Sequence, residues 1–239
     1  MSGHSKWSQI KRTKGVLDQK RGLLFSKLGK KISIAVREGG GSGDPGANFR
    51  LKSAIEYGKE QGMPNENIER AIKAALGGTA GNIKEVVYEG YGPFGTAFLI
   101  ETATDNTNRT SNNIKHILSK HGGNMGAQGS VSWQFTSKGQ ILIERDNNIL
   151  TIEMVAIDAE AQDVRESEEG LEIYTQPQDL QRVKDLLQKT GAKIARAEII
   201  QESSQQVDLN EEQKSKIEAL FSELENDEDI TSVHTNAII

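Results

Sequence analysis

The chain has 239 residues, 29 Lys+Arg against 34 Asp+Glu, a formal net charge of -5 and no cysteine. Without cysteine there is no disulfide framework, no Cys zinc site and no thiol nucleophile, and the composition suits a reducing compartment. No apolar run approaches the roughly 20 residues that span a bilayer and the basic N-terminus lacks a signal-peptide apolar core, so a cytoplasmic protein without membrane contact is expected.

In chain order, the first predicted element follows Gly15. Leu17, Leu24, Phe25, Leu28, Ile32 and Ala35 recur at the spacing of one helical face, and Gly39 to Gly43 ends the helix in a hinge. Asp44-Pro45 reads as an N-cap with Pro at the first helical position, giving a second helix with Leu51, Ala54 and Ile55 inward. Pro64 opens a third, with Ile68, Ala71, Ile72, Ala75 and Leu76 inward and Gly77-Gly78 as its stop. Residues 1–78 therefore read as a basic tail plus a three-helix domain.

Periodicity then changes. Residues 83–92 and 94–104 predict two strands joined at Gly92-Pro93, and Asn106 to Lys120 a helix capped by Asp105 or Asn106. Val131, Trp133 and Phe135 alternate in 129–135, which predicts a half-buried strand. From Gly139 onward the order is strand, helix (Leu150 to Ala161), two short strands (163–166 and 171–174), helix (Pro177 to Lys189) and strand (193–201). That is the split βαβ, or ferredoxin-like, order. The tail adds a helix (Asn210 to Leu224) and a strand (Ile230 to Asn236), the two elements missing from the 79–136 segment. The expectation is an α+β chain of three domains. They are the helical 1–78, a discontinuous α/β domain of 79–136 plus 203–239, and an inserted ferredoxin-like domain at 137–202.

Charge is segregated along this plan. Residues 1–78 hold 15 Lys+Arg and 7 Asp+Glu, a net of +8, and residues 79–239 hold 14 and 27, a net of -13. A basic head on an acidic body points to a polyanion partner for the head.

The stretches GHSKW (3–7), KRGLLFSKL (20–28), GGGSGDPGAN (39–48), MPNENIERAI (63–72), YEGYGPFGTA (88–97), TDNTNRT (104–110) and GGNMGAQGSVSWQF (122–135), in this order, resemble the YebC/PmpR family. Phe49 stands where many members carry Pro, and 9–17 differs in detail while staying basic. The resemblance implies a helical N-terminal domain with two α/β domains and no family-wide cofactor or catalytic activity. It also implies a role as a DNA-binding transcriptional regulator or, alternatively, as a ribosome-associated translation factor that relieves stalling at proline runs.

From the residues themselves, Lys6, Lys11, Arg12, Lys14, Lys20, Arg21, Lys27, Lys30 and Lys31 are the candidate phosphate contacts. Lys20, Lys27, Lys30 and Lys31 share one arc of the first helix beside its apolar stripe, into which Arg21 falls. Trp7 either stacks on an unpaired base or anchors the tail. Tyr88 and Tyr91, on a Gly/Pro-rich turn, are candidate partner contacts. Arg109 is a third, because a cation at a helix N-terminus opposes the dipole and needs an internal carboxylate or a phosphate. The four His (His4, His116, His121, His234) have no ligand-like spacing, so no metal is expected. The acidic clusters at Glu166–Glu169 and Glu223–Asp229 solubilise, repel nucleic acid, or dock a basic protein.

Overall fold

The structure, a computed structural model, describes residues 17–78, 83–145, 149–167 and 169–238, without the side chains of 17–20 and of Phe49. Three helices come first: α1 (Leu17–Glu38), α2 (Phe49–Glu60) and α3 (Asn65–Leu76). Leu28, Ile32, Ala35 and Val36 of α1, Leu51 of α2 and Ile68 of α3 close on one another, with Met63 between the last two helices. The predicted apolar face of α1 is therefore the one buried.

The start of α2 departs from expectation. Asp44 does not cap it. Its side chain accepts from Gly46 N at 2.8 Å and its carbonyl accepts from Ala47 and Asn48, which makes a turn ahead of the helix. Asn48 is the cap, accepting from Leu51 N at 3.1 Å while its amide donates to Ala35 O at 2.8 Å. Asn wins because one side chain serves the donors of α2 and a terminal carbonyl of α1 together, which a carboxylate cannot do.

The first sheet comprises β1 (Lys84–Tyr91), β2 (Ala97–Thr104), the two-residue β3 (Asn124–Met125) and β9 (Ile230–Thr235), all antiparallel in the order β3-β1-β2-β9. Helices α4 (Thr107–Lys120) and α7 (Glu211–Glu225) accompany it. Phe98 and Ile100 of β2 are fully buried, as are Ile114 and Leu118 of α4 and Ile217, Leu220 and Leu224 of α7. Gly90 faces Phe98 in register, and a Cβ there would lie 2.7 Å from the Leu118 side chain, so glycine lets α4 settle onto β1.

The second sheet is β4 (Phe135–Glu144), β5 (Asp163–Glu166), β6 (Gly170–Thr175) and β7 (Ile194–Ser203) in the order β5-β6-β4-β7, with α5 (Ile149–Asp158) and α6 (Leu180–Lys189). This is the split βαβ order. Ile141, Ile143, Leu171 and Ile173 of the strands pack with Ile152 and Ala156 of α5 and Val183 and Leu187 of α6. Short strands β8 (Val207–Asp208) and β10 (Ala237–Ile238) complete the elements. The molecule is α+β, as expected. The first sheet has the same four strands and two helices as the second but opens with a hairpin, which changes its strand order. Two compact units result, one of residues 17–132 with Val207–Ala237, the other Trp133–Gln206.

The expected strand at 129–135 does not form. Ser132–Gln134 is a 3-10 turn with Trp133 64% exposed, and β4 starts only at Phe135. The cause is Glu89, which is buried and accepts hydrogen bonds from Gly129 N (2.7 Å), Val131 N (2.7 Å) and Ser132 N (2.8 Å). Backbone donors wrapped around a carboxylate are not available to a ladder. Burial pushes the Glu89 carboxyl upward, but the N–H donors outweigh it and hold it below its ordinary value.

Candidate nucleic-acid interface

Of the candidate phosphate contacts, Lys6, Lys11, Arg12 and Lys14 lie outside the described residues, as does Trp7. Lys20 is in α1 and its side chain is not described. Arg21 is exposed and Lys31 half-buried. Two lysines of the same arc have partners within the chain. Lys27 Nζ donates to Glu225 O at 2.5 Å, and Lys30 Nζ donates to Glu228 O at 3.0 Å and pairs with Asp229 at 2.7 Å. The C-terminal end of α7 and the loop after it present carbonyls without helical partners and the negative dipole, and α1 supplies the cations.

Asp229 is the centre of this junction. Its side chain is 8% exposed and accepts from Lys30, from Arg109 Nη2 at 2.7 Å, from Thr110 at 2.8 Å and from Thr104 at 3.2 Å. Burial alone raises the carboxyl, yet the donors Lys30, Arg109 and Thr110 bring it down to about 2. Arg109 also pairs with Asp105 at 2.9 Å, so the cation at the start of α4 meets internal carboxylates and its own proton affinity rises through those hydrogen bonds. Asn106 caps α4, accepting from Arg109 N at 3.1 Å. A polar cleft of about 610 Å³ lies over these groups, lined by Lys30, Asp105, Arg109, Asn113, Asp227 and Asp229 among others. Two cations, Lys30 and Arg109, meet four carboxylates there, Asp105, Asp227, Glu228 and Asp229, so the lining is net negative and the cleft is a clasp between α1, α4 and the α7–β9 loop rather than an anion site.

The hairpin between β1 and β2 holds the other candidates. Tyr88 donates its OH to Thr107 O at 3.1 Å, and Tyr91 donates to Ser130 O at 2.9 Å. Burial and then the Asp229 charge push the Tyr88 hydroxyl upward. Both tyrosines are thus tethered, and Tyr91 keeps its ring 37% exposed.

Phe94, which sequence reasoning did not single out, stands at the tip of this hairpin, 41% exposed and at φ 63°. A bulky side chain in the left-handed region is strained. The turn is nonetheless closed, by Gly92 N to Thr96 O at 2.8 Å and Thr96 Oγ1 to Pro93 O at 2.8 Å. Lys216 Nζ lies 5.9 Å from the Phe94 ring centroid. The signal in the sequence was an aromatic between Pro93 and Gly95, a turn position where a ring has no core to enter.

Glycine-rich 122–129 backs this tip. A Cβ on Gly123 would fall 2.3 Å from the Tyr91 carbonyl oxygen, so only glycine allows that approach. Among the described residues, no helix is long and apolar enough to cross a membrane.

Two family models match. The N-terminal domain of the TACO1/YebC protein covers residues 5–78, and the second and third TACO1/YebC domains cover 83–237. The chain is 48% identical to a probable transcriptional regulatory protein of Thermoanaerobacter pseudethanolicus, over 100% of this chain and 98% of that one. It is 47% identical to another so named in Desulforamulus reducens, over 99% and 98%. Its fold is similar to the crystal structure of a conserved hypothetical protein from Aquifex aeolicus, with a TM-score of 0.84, 41% identity, and 97% of this chain and 96% of that one covered. With both models matched in order along a three-helix region followed by sheet-containing domains, the chain belongs to the TACO1/YebC family.

Proposed function

We propose that this chain is a non-enzymatic nucleic-acid-binding regulator, acting in the cytoplasm on DNA as a transcriptional regulator. The observation that carries the reading is charge segregation, +8 over residues 1–78 and -13 beyond. The names of its relatives support a regulatory role. Lys6, Lys11, Arg12, Lys14, Lys20, Arg21 and Lys31 are the phosphate contacts, with Lys27 and Lys30 holding the clasp. In this reading residues 1–78 act as one domain and 137–202 as a domain inserted into the other α/β domain. A non-catalytic role fits two tightly held carboxylates. Asp229 and Glu89 are each saturated by donors and held ionised, the opposite of a poised acid or base.

A second reading, an RNA- or ribosome-bound translation factor, is favoured by one observation, the exposed rings of Tyr91 and Phe94 at a closed turn. Exposed aromatics stack on unpaired bases, which folded RNA offers and duplex DNA does not. Crosslinking in cells, with recovery of both DNA and RNA, tests the pair. Promoter enrichment is the expected result for the first reading. Ribosomal RNA enrichment without promoter peaks replaces it with the second, and recovery of neither overturns both.

A further inference from the structure

Helix α5 is apolar on two faces. Ile152 and Ala156 point into the core of the second sheet, as expected of a helix on a sheet. On the other side Leu150, Met154 and Ile157 are 77%, 66% and 61% exposed. At about 100° per residue these three fall within an arc of about 60°, so they form one stripe rather than scattered exposures. Single exposed apolar residues need no explanation, but a contiguous stripe on a helix does.

The charges around the stripe are all of one sign on the helix itself. Glu153 and Asp158 are its only ionised residues, and Glu160 follows at its C-terminal end. Carboxylates there oppose the helix dipole, which favours cations. Glu160 also adopts φ 61°, a strained conformation for a side chain other than Gly or Asn. Among the described residues, Arg182 approaches its carboxylate at 3.7 Å, while making a closer pair with Asp179 at 3.1 Å. Residues 133–206 carry 8 cations against 14 acids, a net of -6, so the surroundings do not offset the rim.

We propose that the α5 stripe docks a cationic amphipathic segment of another protein, its apolar side chains one helical turn apart seated against Leu150, Met154 and Ile157 and its Lys/Arg flanks meeting Glu153, Asp158 and Glu160. Charge complementarity selects this occupant. A second copy would bring two acidic rims together, and nucleic acid would be repelled by the same carboxylates. The inference does not rest on nucleic-acid binding by residues 1–78, and it assigns the acidic unit a task of its own.

The probe is a fluorophore-labelled synthetic helix with Leu at i, i+4 and i+7 and Lys on its flanks, titrated against the full chain by anisotropy. A matched peptide with Glu in place of Lys is the control. Salt-sensitive binding of the Lys peptide and none of the Glu peptide are expected. Leu150→Gln/Met154→Gln/Ile157→Gln should weaken binding at least about tenfold without lowering the melting midpoint, since these side chains are exposed. Glu153→Gln/Asp158→Asn/Glu160→Gln should weaken it about threefold or more and flatten its salt dependence. Equal binding by the triple Gln variant overturns the proposal, as does equal binding of the Glu peptide. So does a dimer in sedimentation that the apolar-to-Gln variant dissolves, and so does loss of cooperative folding in that variant.

Discussion

Two helix C-termini in this molecule meet the same electrostatic problem and resolve it differently. At the end of α7, Lys27 and Lys30 donate to the carbonyls of Glu225 and Glu228, and Asp229 is neutralised by Lys30 and Arg109. At the end of α5, Asp158 and Glu160 stand at the negative pole where, among the described residues, Arg182 comes within 3.7 Å of Glu160. The first is complete within the chain, and its cations are used for holding the fold. The second is left open beside an apolar stripe. A charged residue is therefore a contact candidate only after its internal partners are known, which separates Lys27 and Lys30 from the other seven cations proposed for phosphate.

The largest effect is expected where the charges are finished. Asp229→Asn leaves Lys30 and Arg109 facing each other without their carboxylate, and should destabilise the unit by about 3 kcal/mol, read as a melting midpoint lowered by roughly 5–10 °C. An unchanged midpoint would mean the clasp is not structural.

The pH dependence sharpens the same point. A carboxyl held at about 2, against an ordinary 3.8, stabilises the fold above its unfolded value and loses that contribution as pH falls from about 4 through 2. The loss is about 2.5 kcal/mol at most, and Asp229→Asn should flatten the stability profile in that window. A profile of unchanged slope would place the titration elsewhere.

At the hairpin tip, Phe94→Asn suits the left-handed turn, so the fold should be kept or slightly stabilised while affinity for a single-stranded oligonucleotide drops roughly tenfold. Unchanged affinity would remove base stacking from the tip and leave the phosphate contacts standing. The smallest effect belongs to the open helix end. Glu160→Gly relieves both φ and dipole and should raise stability by about 0.5–1 kcal/mol in denaturant titrations. A loss of stability there would show that Glu160 is held within the chain.

How much of this was legible in the sequence depended on locality. The inward face of α1 follows from Leu28, Ile32 and Ala35 at helical spacing, and the second sheet from an unbroken run of strand and helix signals. A cap at Asp105 or Asn106 and the need of Arg109 for an internal carboxylate or a phosphate were also readable, because cap chemistry acts within a few residues, and the structure selects Asn106 and the carboxylates. Four features were not. The cap of α2 is Asn48 rather than Asp44, because Asn48 also serves Ala35 O thirteen residues earlier. The strand β3 is two residues long and carries no pattern. The alternation of Val131, Trp133 and Phe135 looked like a strand, and only the approach of Glu89, some 40 residues earlier in the chain, turns that backbone into a carboxylate cradle. The fate of Lys27 and Lys30 depends on groups 198 and 199 positions away, which no local period encodes.

The most direct measurement of the central claim, that the basic head grips a polyanion, is the salt dependence of oligonucleotide binding by the full chain and by Lys11→Ala/Arg12→Ala/Lys14→Ala. Removing one cation from a phosphate should reduce the log–log slope by about 0.7–0.9, so the triple variant is expected to bind more weakly with a slope shallower by about 2–3. An affinity and a slope equal to those of the unaltered chain would contradict the account.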